Sequence, residues 1–149
     1  TCALPILLVS TKGRYALRVM LDLARYRDKN QYIPLKDVAK RQEISEKYLE
    51  SIISSLSRAK LVTGVRGKKG GYKLTRSPGE YTVKEIIELT DKSTAPVSCL
   101  TDEKNECPRA SQCETLGMWQ GLDRIIAGYL ERITLEDLLK GRLPEVIFP

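Results

Sequence analysis

The chain has 149 residues, with 25 Lys and Arg against 19 Asp and Glu, four cysteines and no histidine, for a formal net charge of +6. This length suits one domain or a small domain with an appendage, and 42% hydrophobic content predicts a folded chain. No apolar run approaches ~18 residues, which excludes a membrane-spanning helix, and the lack of His removes His-dependent triads, His general bases and His-rich zinc sites.

Residues 1–9 (TCALPILLV) form a short apolar patch with no basic residue before it, unlike a secretory leader. They are read as an N-terminal extension, non-native or from a shifted start, and set aside together with Cys2. Thr11 to Arg27 is predicted helical, because Leu17, Met20, Leu21 and Ala24 recur at three- and four-residue spacing. Asn30 to Ile33 is a connection, and Pro34 suits a helix start. The helix it opens, Leu35 to Gln42, places Leu35, Val38 and Ala39 on one face. A break is expected at Glu43-Ile44. Ser45 then caps a helix running to about Lys60, with Glu46 favouring its N-terminal dipole and Tyr48, Leu49, Ile52, Ile53 and Leu56 directed inward.

Leu61 to Val65 and Tyr72 to Thr75 are β-prone arms flanking a tip rich in Gly and Lys, which predicts a hairpin. Val83 to Leu89 reads as a short helix. Asp91 to Gln112 has no sustained periodicity and reads as a loop. Glu114 to Ile133 carries a wide apolar stripe of Leu116, Trp119, Leu122, Ile125, Ile126, Tyr129, Leu130 and Ile133. Thr134 is expected to cap a last helix, Leu135 to Lys140.

Helix, break, second helix and basic Gly-tipped hairpin follow the order of a winged helix-turn-helix, whose second helix enters the major groove. Charge supports a polyanion partner: Ser10 to Glu80 holds 17 basic and 7 acidic side chains, whereas Tyr81 to Pro149 holds 8 and 12. Ser45, Lys47, Glu50, Ser51, Ser54 and Arg58 are the exposed candidates on the second helix. A carboxylate in the groove accepts from cytosine N4 and repels phosphate, so Glu50 is expected to serve selectivity more than affinity. Arg66, Lys68, Lys69 and Lys73 make the wing, with Arg suited to a narrow minor groove. The alternative is a solvated basic hairpin. The long stripe on Glu114 to Ile133 is wide enough to meet both its own domain and a second copy, so a homodimer is expected.

Cys99, Cys107 and Cys113 lie on a polar loop before the long helix, where buried structural cysteines are not expected. Metal or cluster binding leads, ahead of thiol redox chemistry and, last, no chemical role. Zinc is the weaker metal, since it wants four N or S ligands, while iron–sulfur clusters tolerate a non-Cys ligand. An odd set of three thiols, with nothing marking secretion, points to the cytoplasm.

Ser10 to Leu17, Ile44-Ser45 with Tyr48-Leu49-Glu50, Val65-Arg66-Gly67 leading to Gly70-Gly71-Tyr72-Lys73-Leu74, the three cysteines, Leu116 to Trp119, and Ile133 to Leu139 together resemble the IscR/NsrR/CymR/RirA family of bacterial regulators. The resemblance spans roughly Val9 to Lys140. It implies a mainly α winged-helix dimer with a small β-hairpin, binding an inverted-repeat operator in double-stranded DNA as a repressor. It further implies an iron–sulfur cluster that senses cluster supply, iron, nitric oxide or redox state. Carried over by position, Tyr48, Glu50 and Arg66 resemble DNA-contacting residues, and Cys99, Cys107 and Cys113 resemble cluster ligands; 2Fe–2S is favoured over 4Fe–4S. Leu116 stands where IscR-like members have a His, and Arg14 where NsrR-like members have an Asp. The fourth ligand therefore stays open among Glu114, Glu106, a thiol and solvent.

The resulting organisation is an extension (1–9), a DNA-binding domain (10–80), a short helix with a sensor loop (81–113), and a dimerisation helix with its tail (114–149). The competing readings are a metal-free thiol switch governing cysteine metabolism, a nitric-oxide-sensing repressor and, last, an adaptor that does not bind DNA. An enzyme is not expected: no phosphate-binding loop or paired acid–base site is present.

Overall fold

The computed structural model describes residues 9–27, 31–102 and 104–146, so most of the extension set aside above lies outside the described residues. Among the described residues, six α-helices and one two-stranded antiparallel sheet follow in the order α1 (Thr11–Arg25), α2 (Leu35–Gln42), α3 (Glu46–Arg58), β1 (Val62–Val65), β2 (Gly71–Leu74), α4 (Val83–Asp91), α5 (Leu116–Glu131) and α6 (Leu135–Lys140). This is the expected mainly helical architecture with a hairpin.

The caps explain the helix starts. The hydroxyls of Ser10, Ser45, Thr82 and Thr134 accept the backbone N–H groups of Gly13, Tyr48, Glu85 and Asp137, each three residues ahead. Pro34 takes the cap position of α2 rather than its first turn, and α2 ends at Glu43, whose φ of 54° is left-handed without a glycine. Ile44 N–H then donates to Ala39 C=O at 3.1 Å, closing the short break before α3.

The core unites both halves of the chain. Ala16, Val19, Met20 and Leu23 of α1 meet Leu49, Ile52, Ile53 and Leu56 of α3, together with Tyr81, Ile86 of α4 and Leu135 of α6. Each fully buried aliphatic side chain contributes roughly 1.5–3 kcal/mol. A smaller cluster of Val83, Ile87 and Ile133 takes Tyr129 and Leu130 from α5. The two halves are also joined by backbone, as Val83 N–H donates to Ile133 C=O at 2.8 Å and Leu135 N–H to Tyr81 C=O at 3.1 Å.

The hairpin pairs Val62 with Leu74 and Val65 with Gly71. Ile33, expected only as connecting chain, adds a third short edge by exchanging two backbone hydrogen bonds with Tyr72, at 2.8 and 2.9 Å. That close approach demands Gly71, where a Cβ would sit 2.3 Å from Ile33 O. The expected loop before α5 contains two single 3-10 turns, Ser98–Leu100 and Ala110–Gln112.

Candidate nucleic-acid interface and cysteine loop

The inward face of α3 is fully occupied by the core, so its remaining positions face outward. Lys47, Glu50, Ser51, Ser54 and Arg58 are all exposed. Ser45 is exposed too, but its oxygen already accepts the Tyr48 N–H at 3.2 Å, which leaves its hydroxyl hydrogen as the donor it can offer. Ser51 donates to the Tyr48 C=O at 2.9 Å. Tyr48, expected inside, is half-buried and meets Tyr15 edge to face, with ring centroids 5.8 Å apart. The Arg18 guanidinium lies over that Tyr15 ring at 4.8 Å and donates to the Gln42 C=O at 2.8 Å. Arg18 thus ties α1 to the end of α2, and the Tyr15 ring it covers meets the start of α3.

Arg66, Lys68 and Lys69 are exposed at the hairpin tip, where Gly67 has a φ of 118°. Lys73 does not join them. Its ammonium lies over the Tyr32 ring at 4.7 Å. Between α3 and the hairpin a cleft is lined by Glu50, Ser54, Ser57, Arg58 and Tyr72. The base of the hairpin is organised by Tyr81, whose hydroxyl donates to Leu61 C=O at 2.8 Å and accepts from the backbone N–H groups of Thr75 and Arg76. Nothing in the periodicity around Tyr81 announces this role. The same holds for Asp22, a buried carboxylate on α1 that receives Arg41 and Gln42 from α2.

Cys99, Cys107 and Cys113 carry free thiols; the first two are half-buried and Cys113 is exposed. The Thr115 hydroxyl, backbone N–H groups of Thr115 and Leu116, and the Arg109 charge hold the Cys113 thiol below its ordinary range. Asn105 also lies in this loop: its Oδ1 accepts the Cys107 N–H at 3.0 Å, and its Nδ2 is buried without an acceptor among the described residues. Among the described residues, no three Cys, Asp or Glu side chains converge closely enough to hold a metal ion. The three thiols, with Glu106 and Glu114 exposed beside them, are thus placed on one loop but not brought together. As a donor set they suit iron: thiolate-forming groups, one already acidified, beside a buried N–H donor lacking a partner.

On α5, Met118 (58% exposed), Leu122 (39%) and Ile125 (59%) present an apolar face to solvent, while Tyr129 and Leu130 pack on the domain. No helix among the described residues is long and apolar enough to cross a membrane.

Comparison with known proteins agrees with this architecture. A family model described as Rrf2, iron-dependent transcriptional regulator, matches residues 9–141. The chain is 38% identical over 134 residues to the HTH-type transcriptional regulator IscR of Xenorhabdus nematophila, covering 90% of this chain and 80% of that protein. It is 37% identical over 132 residues to the regulator of the same name from Vibrio campbellii, covering 89% and 77%. Among solved structures, T. potens IscR superposes with a TM-score of 0.70 at 34% identity, over 91% of this chain and 88% of that one. CymR, the global cysteine regulator of B. subtilis, superposes with a TM-score of 0.74 at 34% identity, over 91% and 98%. These are regulators of transcription and not enzymes. With the match running through helix pair, wing, cysteine loop and long helix alike, the chain belongs to the Rrf2 family of DNA-binding transcriptional regulators.

Proposed function

We propose that the protein is a homodimeric repressor that reads an inverted-repeat operator and responds to an iron–sulfur cluster on its cysteine loop. The observation carrying this reading is the division of exposed surface: polar and basic on α3 and the hairpin tip, apolar on α5, with three free thiols on the connecting loop. In this organisation residues 10–80 bind DNA, 81–113 sense and 114–149 dimerise. Lys47, Tyr48, Glu50 and Ser51, with the Ser45 hydroxyl, face the major groove; Arg66, Lys68 and Lys69 reach the flanking backbone and minor groove. Met118, Leu122 and Ile125 meet a second copy. Cys99, Cys107 and Cys113 would hold the cluster, 2Fe–2S favoured, which supplies a group sensitive to iron supply, oxidants and nitric oxide. A change in the loop reaches the DNA-binding helices through α4, which packs along α1.

Anaerobic reconstitution followed by visible absorption and iron and sulfide analysis tests the cluster. A colourless protein, unchanged by Cys99→Ala, overturns it. A second reading, a metal-free thiol switch, is favoured by the likeness to a cysteine regulator and by the acidified Cys113 thiol. It requires a disulfide to form on mild oxidation of iron-free protein, with altered operator affinity.

A further inference from the structure

We propose that the side-chain amide of Asn105 donates a hydrogen bond from Nδ2 to a sulfur of the cluster held by the loop, and so raises its reduction potential. The inference rests on the cluster reading above. The orientation of this carboxamide is fixed by chemistry: the Cys107 backbone N–H is a donor, so the Asn105 atom facing it at 3.0 Å is the oxygen. That contact closes an Asx turn and ties Asn105 to one of the three thiol-bearing residues. The NH2 group is thereby directed elsewhere. It is buried and finds no acceptor among the described residues.

A buried amide donor without a partner is rare in folded proteins, and a bound group that accepts from it is one way such a donor is satisfied. The nearby carboxylates of Asp102 and Glu106 are exposed and solvated. Cluster sulfurs are anionic acceptors, and hydrogen bonds to them stabilise the more negative reduced form, which shifts the potential upward. Asn105 is a positioning and tuning residue here, acting on Cys107 through Oδ1 and on sulfur through Nδ2.

The test uses the full chain, reconstituted anaerobically, beside Asn105→Asp and Asn105→Ala. Asp keeps an oxygen for the Cys107 N–H but has no donor; Ala has neither. A coloured wild type with both variants matching its iron and sulfide content, yet reduced at lower potential, is expected. The displacement expected is tenfold or more in the oxidised-to-reduced ratio, equivalent to about 59 mV for one electron. In the reduced wild type carrying side-chain 15N-asparagine, pulsed EPR should detect coupling to that nitrogen, and Asn105→Ala should abolish it. Asn30 is the other asparagine in the chain, and coupling that persists in Asn30→Gln assigns the signal to Asn105. A coloured wild type with no such coupling, or with variant ratios within twofold of its own, overturns the proposal. If both variants lose the cluster, the coupling in wild type decides alone. A colourless wild type instead removes the cluster reading itself.

Discussion

Asp91, the last residue of α4, caps the cap of α1: its carboxylate accepts the Ser10 backbone N–H at 2.8 Å and the Ser10 hydroxyl, while Ser10 Oγ accepts the Gly13 N–H at 2.9 Å. Residues 81 apart in sequence thus join α4, the helix before the cysteine loop, to α1. From there Lys12 reaches Ser55 on α3 at 3.4 Å. The carboxylate sits so close that a Cβ at Gly13 would lie 2.8 Å from its Oδ2.

Gly→Ala inside a helix ordinarily stabilises by about 0.5–1 kcal/mol. Gly13→Ala should do the reverse, because the added methyl displaces Asp91. Asp91→Ala should destabilise by about 1–2 kcal/mol, the worth of a charged capping contact. Urea unfolding of both variants checks the sign, and a double variant no worse than Gly13→Ala alone shows that the two share one cause.

Asp22 is 3% exposed and receives Arg41 Nη2 at 2.6 Å, Arg41 Nε at 3.0 Å and Gln42 Nε2 at 2.8 Å. Removing Arg41 leaves a buried carboxylate short of its cation. Arg41→Ala should cost about 2 kcal/mol, below the ~3–5 kcal/mol of a fully buried pair because Arg41 itself is 30% exposed. Arg41→Lys should recover little, since one ammonium cannot repeat the forked contact. Thermal melts of the two variants decide this.

These contacts also mark where sequence reading stops. The helices are legible because their apolar residues recur at helical spacing and because Ser45 and Thr134 announce starts. Polar pairings across long separations carry no such period: Asp22 with Arg41, Ser10 with Asp91, and Tyr81 with the hairpin base are set by tertiary approach alone. The same cause hides the Ile33 edge, which depends on the missing Cβ of Gly71. On α5 the stripe predicts a longer helix than forms. Its first residues, Glu114 and Thr115, are held in a turn instead, and the chain turns at Arg132 to enter the Thr134 cap. At the candidate site, exposure of the α3 and hairpin-tip residues follows from the inward set, which periodicity reveals. The spatial relation of the three thiols is a loop property and has no signature of that kind.

The last helix gives a pH signature. Asp137 accepts from the Thr134 hydroxyl at 2.6 Å and its N–H at 3.1 Å, and these bonds, with Arg142 and Lys140 nearby, lower its pKa. A depressed carboxylate stabilises the fold above its unfolded value of about 4. That contribution disappears as pH falls through the folded value. Asp137→Asn should therefore melt below wild type at pH 7, with the gap closing once the pH drops beneath the carboxylate range.

Operator binding should separate affinity from selectivity. Lys68→Ala and Lys69→Ala should each weaken binding to all duplexes and reduce the slope of log affinity against log salt by about 0.9 for every phosphate no longer neutralised. Glu50→Ala should leave that slope nearly unchanged and cut discrimination at one cytosine-bearing position by about tenfold. Fluorescence anisotropy over a salt series, with matched and substituted duplexes, measures both. A Glu50→Ala effect equal on every duplex would remove its proposed role.

The apolar face of α5 should be worth little to the single chain and much to its assembly. Ile125 is 59% exposed and contributes to neither core cluster, so Ile125→Lys should leave the monomer fold intact. In a dimer that buries it, the introduced ammonium would be desolvated without a partner, at a cost of several kcal/mol. Sedimentation at micromolar concentration should then show monomer for the variant and dimer for the unsubstituted chain. Far-ultraviolet circular dichroism should stay unchanged, and affinity for a full inverted repeat should fall towards that for an isolated half-site, because two half-sites are no longer bound together. Dimeric Ile125→Lys protein would place the interface elsewhere on the chain.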